Sequence, residues 1–378
     1  MLRRLPVANP QNRWERAHVS YESGDIPNQG LQLFLDDSRR VISENDSPDV
    51  SFRFSLNPYR GCAHGCAYCY ARPSHEYLGF GSGTDFERRL LIKPRAAELL
   101  REAFEAKGWL GDLLVLSGNT DCYQPIEAQL GLTRGCLEVC VEYRNPVHII
   151  TKGSLVERDL ELLVRLHEVA SVSVSVSIPF WDPDAARSME PYAPPPARRI
   201  ETIRRLSSAG IPVVVNVAPL IPGLVDADMI PILEAARAAG ALSAMSIPVR
   251  LPGSVAQVFQ ERLHAHFPGK AEKVLARIRE MRGGALNEPR FHERMRAKGE
   301  YGATLFRVFQ ATCTRLGFGE FPEPRIGTFR RPKAAENGDN RARARRQTAR
   351  VNPPLGSTQL SLDFSATARN TSDEGNAP

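Results

Sequence analysis

The stretch Asn57-Pro58-Tyr59-Arg60-Gly61-Cys62-Ala63-His64-Gly65-Cys66-Ala67-Tyr68-Cys69-Tyr70 holds three of the seven cysteines of this 378-residue chain, in a C-x3-C-x2-C spacing. It follows residues 51–56, whose alternating pattern predicts a strand, and its Gly and Ala residues are typical of a turn. Such a turn brings three thiolates to one small inorganic centre. Because an iron–sulfur cluster normally takes four thiolates, three close cysteines indicate a cluster with one iron left open for chemistry.

Two other interpretations of these cysteines stay open. Together with His64 they would form a Cys3His zinc site, although structural zinc sites usually draw two pairs of ligands from separated segments. Alternatively, they would be three unligated core thiols. The pattern of the chain downstream favours the cluster.

Downstream of the cysteines, apolar runs alternate regularly with amphipathic stretches. The sequence predicts six strands, over residues 51–56, 113–116, 147–150, 172–178, 213–217 and 244–247. Helices are predicted before the second strand and between the later ones, over residues 94–107, 127–143, 155–169, 198–209 and 226–239. This alternation predicts an α/β fold of right-handed parallel units closing toward a barrel, with the reactive groups at the carboxyl ends of the strands.

The fourth predicted strand alternates perfectly between serine and valine over residues 171–177. Its valines therefore face one way and its hydroxyls the other. We expect the serine face to line a polar lumen with room for a ligand. The alternative is a solvent-facing antiparallel edge strand.

Several motifs near the predicted strand ends together resemble one known superfamily. Besides the cysteine turn, they are Thr120-Asp121-Cys122-Tyr123-Gln124-Pro125, Thr151-Lys152 and Glu190-Pro191 with Arg199-Ile200-Glu201. Over residues 57–248 the chain resembles the radical SAM superfamily, and within it the spore photoproduct lyase-like group, often labelled DNA repair photolyases. The six predicted strands match the partial (β/α)6 TIM-type barrel of that superfamily.

The resemblance implies the cofactors and the reaction. Cys62, Cys66 and Cys69 would hold a [4Fe-4S] cluster whose fourth iron is chelated by S-adenosyl-L-methionine (SAM), and the reduced cluster would cleave SAM to a 5′-deoxyadenosyl radical that takes a hydrogen atom from substrate. Such a reaction needs a reducing partner such as a flavodoxin or ferredoxin. Tyr68 matches an aromatic position that packs beside the cofactor.

Further cofactor-binding residues are expected at the strand ends. By the resemblance, Lys152 meets the cofactor carboxylate and Ser177 lies near the cofactor. Ser117 and Asn119 follow the second strand, in a loop of small polar groups expected to meet the amino group of the ligand; it departs from the Gly-Gly-Glu-like motif of the superfamily. Asn216 follows the fifth strand, where the adenine and ribose are often contacted, although an ordinary loop is an equal alternative.

One mismatch bears on the substrate. The true lyase carries a hydrogen-donating cysteine at the position that aligns with Gly118, which puts repair of a thymine dimer by that route in doubt. Cys122 is the candidate replacement in the catalytic role, and a packing role is its alternative. Cys136 and Cys140 lie four residues apart on one helix face and are interpreted as core residues, with an auxiliary cluster as the alternative.

The charge is concentrated near the carboxyl-terminal end. The net charge is +6, and residues 325–350 hold nine Lys and Arg residues against two acidic ones. We expect four regions: an irregular extension over 1–50, the core barrel over 51–250, a helical extension over 251–328 and a disordered basic tail over 329–378. The tail is a candidate for nucleic-acid binding. Its apolar island, Gln359-Leu360-Ser361-Leu362-Asp363-Phe364, resembles peptides that dock on the replication sliding clamp.

Within the helical extension, three helices are predicted, over residues 256–267, 271–281 and 304–316. Between them, Arg290, His292, Arg294 and Arg296 are interpreted as a solvated helix face, or as contacts to an acidic substrate. The chain has no long apolar run, and its cysteine usage argues against a disulfide framework, so we expect a cytoplasmic protein without a membrane partner.

Two functional hypotheses follow from the sequence. The first is a radical SAM enzyme with nucleic acid as the favoured substrate. The second is a nucleic-acid-associated iron–sulfur adaptor, in which the cluster is structural and the tail recruits partners. Reductive cleavage of SAM distinguishes them.

Overall fold

The computed structural model describes residues 8–10, 12, 30–332 and 360–361. Its strands are, in chain order, β1 (Gln32–Leu35), β2 (Ile42–Glu44), β3 (Phe54–Leu56), β4 (Tyr59–Arg60), β5 (Arg89–Ile92), β6 (Leu114–Leu116), β7 (Val147–Thr151), β8 (Val172–Ser177), β9 (Val213–Leu220), β10 (Ser243–Pro248) and β11 (Leu360–Ser361). Its α-helices are α1 (Thr84–Arg88), α2 (Ala96–Glu105), α3 (Glu127–Leu130), α4 (Leu132–Tyr143), α5 (Leu160–Val169), α6 (Pro183–Met189), α7 (Pro196–Ser208), α8 (Met229–Ala238), α9 (Val255–His266), α10 (Pro268–Met281) and α11 (Gly299–Leu316). Two 3₁₀ helices cover Arg72–Leu78 and Ser154–Asp159.

The main sheet contains the six predicted strands. Its order is β10-β9-β8-β7-β6-β3-β2, and every neighbouring pair is parallel except β2 with β3. Within the described residues β10 does not pair with β2, so the sheet stays open. The prediction of a partial (β/α)6 barrel is therefore confirmed.

Strand β8 lies in the middle of this sheet, between β7 and β9. The edge-strand alternative is therefore wrong. Val172, Val174 and Val176 belong to the main hydrophobic core, in which the apolar faces of α4, α5 and α7 also take part. On the opposite face, the hydroxyls of the β8 serines meet buried His148 of β7, whose Nδ1 lies 2.7 Å from Ser173 Oγ. The alternation thus separates an apolar outer face from a polar inner one.

A second, smaller sheet supports the cysteine turn. Its strands β1, β5 and β4 were not predicted, because strands of two to four residues give little periodic signal. They lie in regions predicted to be irregular or loop, as does β2. Strand β4 ends at Arg60, and Gly61 alone separates it from the first cysteine of the turn. On the other edge of β1, the backbone of Leu360–Ser361 pairs antiparallel with Gln32 and Leu33.

The predicted helices form with changed ends. The single helix predicted over residues 127–143 is two helices, because Gly131 adopts a left-handed conformation with φ 63° between α3 and α4. The helix predicted over residues 155–169 begins as the 3₁₀ helix Ser154–Asp159. Between the cysteine turn and β5 lie the other 3₁₀ helix and α1, neither of which was predicted.

A loop of residues 283–298, here called the closing loop, bridges the open side of the sheet. At one end, the Arg282 guanidinium donates to the carbonyl oxygens of Pro248 and Val249, at the end of β10. At the other end, Arg294 forms an ion pair with Asp49, between β2 and β3. Arg290 pairs with Glu288 within the loop itself. The prediction of a solvated helix face is therefore wrong. These residues lie in a loop, and Arg290 and Arg294 form ion pairs with acidic residues of the fold.

An extended segment of residues 317–332, here called the strap, crosses the amino-terminal edge of the main sheet. Its backbone amides at Gly319 and Arg330 donate to the carbonyl oxygens of Leu242 and Tyr143, just before β10 and β7. Phe329 packs against Phe104, with ring centroids 5.7 Å apart. The folded part therefore continues past the predicted boundary at residue 328, whereas most of the predicted tail lies outside the described residues.

Among the described helices, none is long and apolar enough to cross a membrane.

Candidate active site

The three cysteines of the turn lie together at the carboxyl edge of the main sheet. Cys62 and Cys66 are each 7% exposed, and Cys69 is half-buried. The Cys62 amide donates to Phe86 O at 2.9 Å, which fastens the turn to α1. Gly61 and Gly65 adopt φ values of 79° and 66°, and a Cβ on Gly61 would lie within 3 Å of His75, Leu90 and the Phe86 carbonyl oxygen. Glycine is therefore required at Gly61 by both conformation and space.

The thiols lie close enough to influence one another's ionisation. Burial raises the pKa of Cys62 well above its usual range, and Asp121, Cys66 and Cys69 raise it further. Burial likewise raises the pKa of Cys66 to about 12, although Lys152 opposes this effect. Three thiols in such an environment need a cation to become thiolates, and metal ligands must be deprotonated. The donor set fits an iron–sulfur cluster.

A buried arginine holds the backbone of the turn. Arg72 is fully buried, and its guanidinium forms an ion pair with Glu87 at 2.5 Å. The same guanidinium donates to four backbone carbonyls, those of Cys66 at 2.9 Å, Ser82 at 2.9 Å, Gly83 at 3.0 Å and Gly65 at 3.2 Å. The path of the cysteine turn is therefore fixed by protein contacts alone.

Asp121 connects the turn to the ends of two strands. Its carboxylate lies 3.3 Å from His64 Nδ1 in the turn, and accepts from the Lys152 amide at 2.7 Å and the Thr151 hydroxyl at 2.6 Å after β7. Burial opposes its ionisation, but the His64 ring and these hydrogen bonds lower the pKa of Asp121 to about 2. His64 Nδ1 is thus engaged with a carboxylate, which links the cysteine turn to the strand ends.

Tyr68, between the last two cysteines, belongs to a buried charged network. Its hydroxyl donates to Glu190, which also forms an ion pair with Arg199 at 2.5 Å. Lys152 Nζ lies 3.9 Å from the same carboxylate and 5.7 Å from the Tyr68 ring centroid. Burial opposes ionisation of Glu190, but Arg199 and then Lys152 lower its pKa. The lysine head is therefore held beside the cysteine turn by the Glu190 carboxylate.

Of the other predicted cofactor residues, Ser177 lies at a strand end, whereas Asn216 lies within β9 and does not follow it as predicted. Ser177 is buried at the end of β8, and its carbonyl accepts from Arg199 at 2.9 Å. Asn216 lies beside it on β9, and its Oδ1 is buried without a hydrogen-bond partner within the described residues. An unsatisfied buried carbonyl is a candidate contact for a bound ligand.

The loop after β6 joins the same edge. Ser117 adopts φ 86°, an unusual conformation for a residue other than glycine, and its hydroxyl accepts from the Cys122 amide at 3.1 Å. Tyr70, directly after the last cysteine, donates its hydroxyl to the Gly118 carbonyl. Asn119 is exposed at the tip. Non-glycine residues in such conformations cluster at functional sites.

Cys122 belongs to the same loop, next to Asp121, and its thiol is buried. Its side chain is 0% exposed within the main core, and burial raises the pKa of its thiol. The catalytic role of Cys122 stays a prediction. Cys136 and Cys140 are likewise fully buried in α4, as their interpretation as core residues expects.

Across the residues with described positions, no three His, Cys, Asp or Glu side chains converge closely enough to hold a single metal ion. A zinc ion would draw its sulfur ligands to about 2.3 Å from one point. A cubane cluster instead presents its irons at separate corners, so its thiolates do not need to meet.

Comparison with known proteins decides the family. The profile of the Radical SAM superfamily matches residues 56–236. An uncharacterized protein of Mycobacterium tuberculosis strain H37Rv is 35% identical over 252 residues, which cover 66% of this chain and 73% of that protein. The chain belongs to the radical SAM superfamily.

Other comparisons support the same fold. An uncharacterized protein of Methanocaldococcus jannaschii is 27% identical over 203 residues, covering 54% of this chain and 73% of the relative. Among solved structures, spore photoproduct lyase complexed with dinucleoside spore photoproduct aligns with a TM-score of 0.55 and 14% identity, over 75% of this chain and 78% of that chain. A mutant of that lyase with bound AdoMet and the same dinucleoside aligns with a TM-score of 0.54, 14% identity and the same coverage.

Membership makes this chain a radical SAM enzyme and implies an iron–sulfur cluster and SAM. It therefore favours the cluster over the zinc and core-thiol interpretations of the three cysteines. The expected (β/α)6 architecture is that of the lyase fold.

Sequence reasoning missed the residues that hold this radical SAM site together. Asp121 and Glu190 stand in the motifs that carried the resemblance, yet their contacts to His64, Lys152 and Tyr68 join positions far apart in the chain. Arg72 gave no signal beyond its place three residues after the last cysteine. Pairings between distant segments leave no periodic trace in a single sequence.

Proposed function

We propose that Cys62, Cys66 and Cys69 hold a [4Fe-4S] cluster and that the enzyme acts on a nucleic acid. When bound, the cluster and SAM supply a 5′-deoxyadenosyl radical that abstracts a hydrogen atom from the substrate. The observation that carries the proposal is the set of three thiols, two buried and one half-buried, at the carboxyl edge of six parallel strands, beside a lysine held by Glu190. Reactive groups of such folds belong at that edge.

The surrounding residues would seat SAM by its polar groups. The Lys152 ammonium is placed to pair with the SAM carboxylate, because its contact to Glu190, at 3.9 Å, leaves donors free. Ser117 and Asn119 are assigned to the amino group, and Ser177 and Asn216 to the ribose and adenine side. The unpartnered Asn216 Oδ1 supports the last assignment.

Burial would protect the radical chemistry from water. Tyr68 is 5% exposed and packs near Phe180, with ring centroids 6.4 Å apart. These two aromatic side chains would exclude water from the side of the site next to the cysteine turn. Exclusion of water prevents side reactions of a reactive intermediate.

Two observations support nucleic acid as the substrate class. The solved structure with a similar fold is a lyase complexed with a dinucleoside photoproduct, and residues 325–350 of this chain are strongly basic. Because Gly118 has no thiol, we do not propose thymine-dimer repair through a hydrogen donor at that position.

Reductive cleavage of SAM tests the proposal. The full chain is reconstituted anaerobically with iron and sulfide, reduced with dithionite, and assayed for 5′-deoxyadenosine by mass spectrometry. We expect product from the wild type and none from Cys66→Ala. Cys313→Ala is the matched control, because Cys313 is half-buried in α11, away from the turn. A protein that binds about four irons but never yields 5′-deoxyadenosine would favour the structural-cluster adaptor.

The partners are proposed on sequence grounds. A flavodoxin or ferredoxin would reduce the cluster. Residues 359–364 would dock on a sliding clamp; of these, the structure describes only the backbone of Leu360–Ser361, which pairs with β1. Because Arg330 and Arg331 contact the folded part, a test deletion of the tail should start at residue 333.

A further inference from the structure

Arg250 is held at the mouth of the site by its backbone. It follows the end of β10 by two residues, and the preceding Val249 amide donates to Leu220 O at the end of β9, at 2.9 Å. Arg282 donates to the carbonyls of Pro248 at 3.0 Å and Val249 at 2.6 Å. Since parallel strands end at one edge of the sheet, Arg250 lies on the same edge as the cysteine turn.

The side chain of Arg250 reaches toward that turn. Its guanidinium lies 5.8 Å from the ring centroid of Tyr70, the residue after the last cysteine. The Tyr70 hydroxyl donates to the Gly118 carbonyl, which fixes the ring between the turn and the loop after β6. Arg250 is therefore next to the place where a substrate would meet the site.

The guanidinium has donors without acceptors. Its Nη1 contacts only the thioether of Met295, at 3.5 Å, and its Nε is buried without a hydrogen-bond partner among the described residues. In the described part of the chain no carboxylate lies within 4.0 Å of it; Asp49 is already paired with Arg294. Burial and the Arg294 charge lower the pKa of Arg250, yet an arginine stays protonated.

Three other buried arginines have hydrogen-bond acceptors of the kind that Arg250 lacks. Arg72 has the carboxylate of Glu87, Arg199 has that of Glu190, and Arg282 is satisfied by backbone carbonyls. A half-buried guanidinium without a counter-ion is costly unless a ligand supplies the charge.

Resting on the proposed function, we propose that Arg250 binds a backbone phosphate of the nucleic-acid strand that enters the site. Guanidinium and phosphate form paired, charge-assisted hydrogen bonds. Tyr70 and Phe291 are 48% and 52% exposed on the same side, where their rings suit stacking with bases. The Arg294 guanidinium lies over the Phe291 ring, and the charge of Arg294 lowers the pKa of Arg250, so Phe291 and Arg250 are both close to Arg294. Together, the cation and the exposed rings match a single strand better than a small carboxylate.

The test measures binding of a fluorescent single-stranded DNA oligonucleotide to the reconstituted full-length protein across a salt series. We expect Arg250→Gln to weaken binding about tenfold and to reduce the slope of log affinity against log salt by about 0.7, the value of one phosphate contact on a single strand. Arg250→Lys should retain most of the slope. Arg204→Gln is the matched control, because Arg204 is exposed on α7 and pairs with Glu201. It should change neither quantity.

Other outcomes would overturn the inference. These are no oligonucleotide binding by the wild type, equal affinity and slope in Arg250→Gln, or weaker SAM binding in that variant with oligonucleotide binding unchanged. The last result would assign the guanidinium to the cofactor carboxylate. Because binding is measured without turnover, failure of SAM cleavage would remove the proposed reaction but not the phosphate contact.

Discussion

Replacement of Arg72 by methionine tests whether the protein fixes the cysteine turn before the cofactor arrives. Methionine keeps an unbranched side chain of similar length but removes every donor of the guanidinium. The change leaves the Glu87 carboxylate, with a side chain 7% exposed, without its cation, and four backbone carbonyls without their donor. The apo protein should therefore become less stable, and the turn should lose its fixed path.

The magnitude follows from the buried ion pair. Removing one partner of such a pair costs about 3–5 kcal/mol, because the remaining charge is uncompensated. The carbonyl hydrogen bonds use the same guanidinium, and their energies are not added separately. We expect the free energy of unfolding to fall by about 3–5 kcal/mol in Arg72→Met, and by less in the double variant Arg72→Met/Glu87→Gln, which leaves no unpaired charge.

Urea unfolding of the apo protein measures this loss, and iron content after anaerobic reconstitution measures the state of the turn. Cluster loading should fall in both variants, since both lack the donors to the backbone of the turn. Arg204→Met, on the exposed face of α7, serves as the control and should change stability by less than about 0.5 kcal/mol. The reasoning is refuted if Arg72→Met unfolds at the wild-type urea concentration, or if the double variant is less stable than the single one.

Three further predictions concern other parts of the fold. The pKa of Asp121 is lowered from 3.8 to about 2, so the ionised carboxylate stabilises the fold above about pH 4, and this stabilisation is lost as the pH falls toward 2. In unfolding titrations, the stability difference between the wild type and Asp121→Asn should therefore shrink by about 2 kcal/mol between pH 4 and pH 2. A difference that stays constant over this range would contradict the assignment. Lys152→Met should weaken SAM binding at least tenfold in anaerobic calorimetry, because a charge-assisted contact is lost; unchanged affinity would remove Lys152 from the cofactor site. Phe329→Ala should lower the free energy of unfolding by about 2 kcal/mol in urea unfolding, because the ring loses its contact with Phe104; equal stability of Phe329→Ala and the wild type would show that the strap does not support the fold.

Periodicity was sufficient to predict the layers of this fold. The six parallel strands are continuous apolar or alternating runs between amphipathic helices, so each carries its own signal. The small sheet carries no such signal, because β4 has two residues and β1 pairs with β5 across more than fifty positions of sequence. The break between α3 and α4 depends on the left-handed conformation of Gly131 alone, and the helical pattern of the sequence continues through it without a signal.

The sequence predicted the three candidate cluster ligands but not the residues that hold them in place. Spacing alone brings Cys62, Cys66 and Cys69 into one turn. Burial of Glu190 between Arg199 and Tyr68 depends on where α7 packs, which no local pattern determines. The burial of the Cys122 side chain in the core depends likewise on the conformation of the loop after β6.

The strap has a consequence for how the chain reaches its final state during synthesis. Residues 317–332 follow all six parallel strands in sequence, so the ribosome releases them only after the strands and their helices have been made. Until then, the amino-terminal edge of the nascent sheet, including Phe104 and Tyr143, is exposed to chaperones and water.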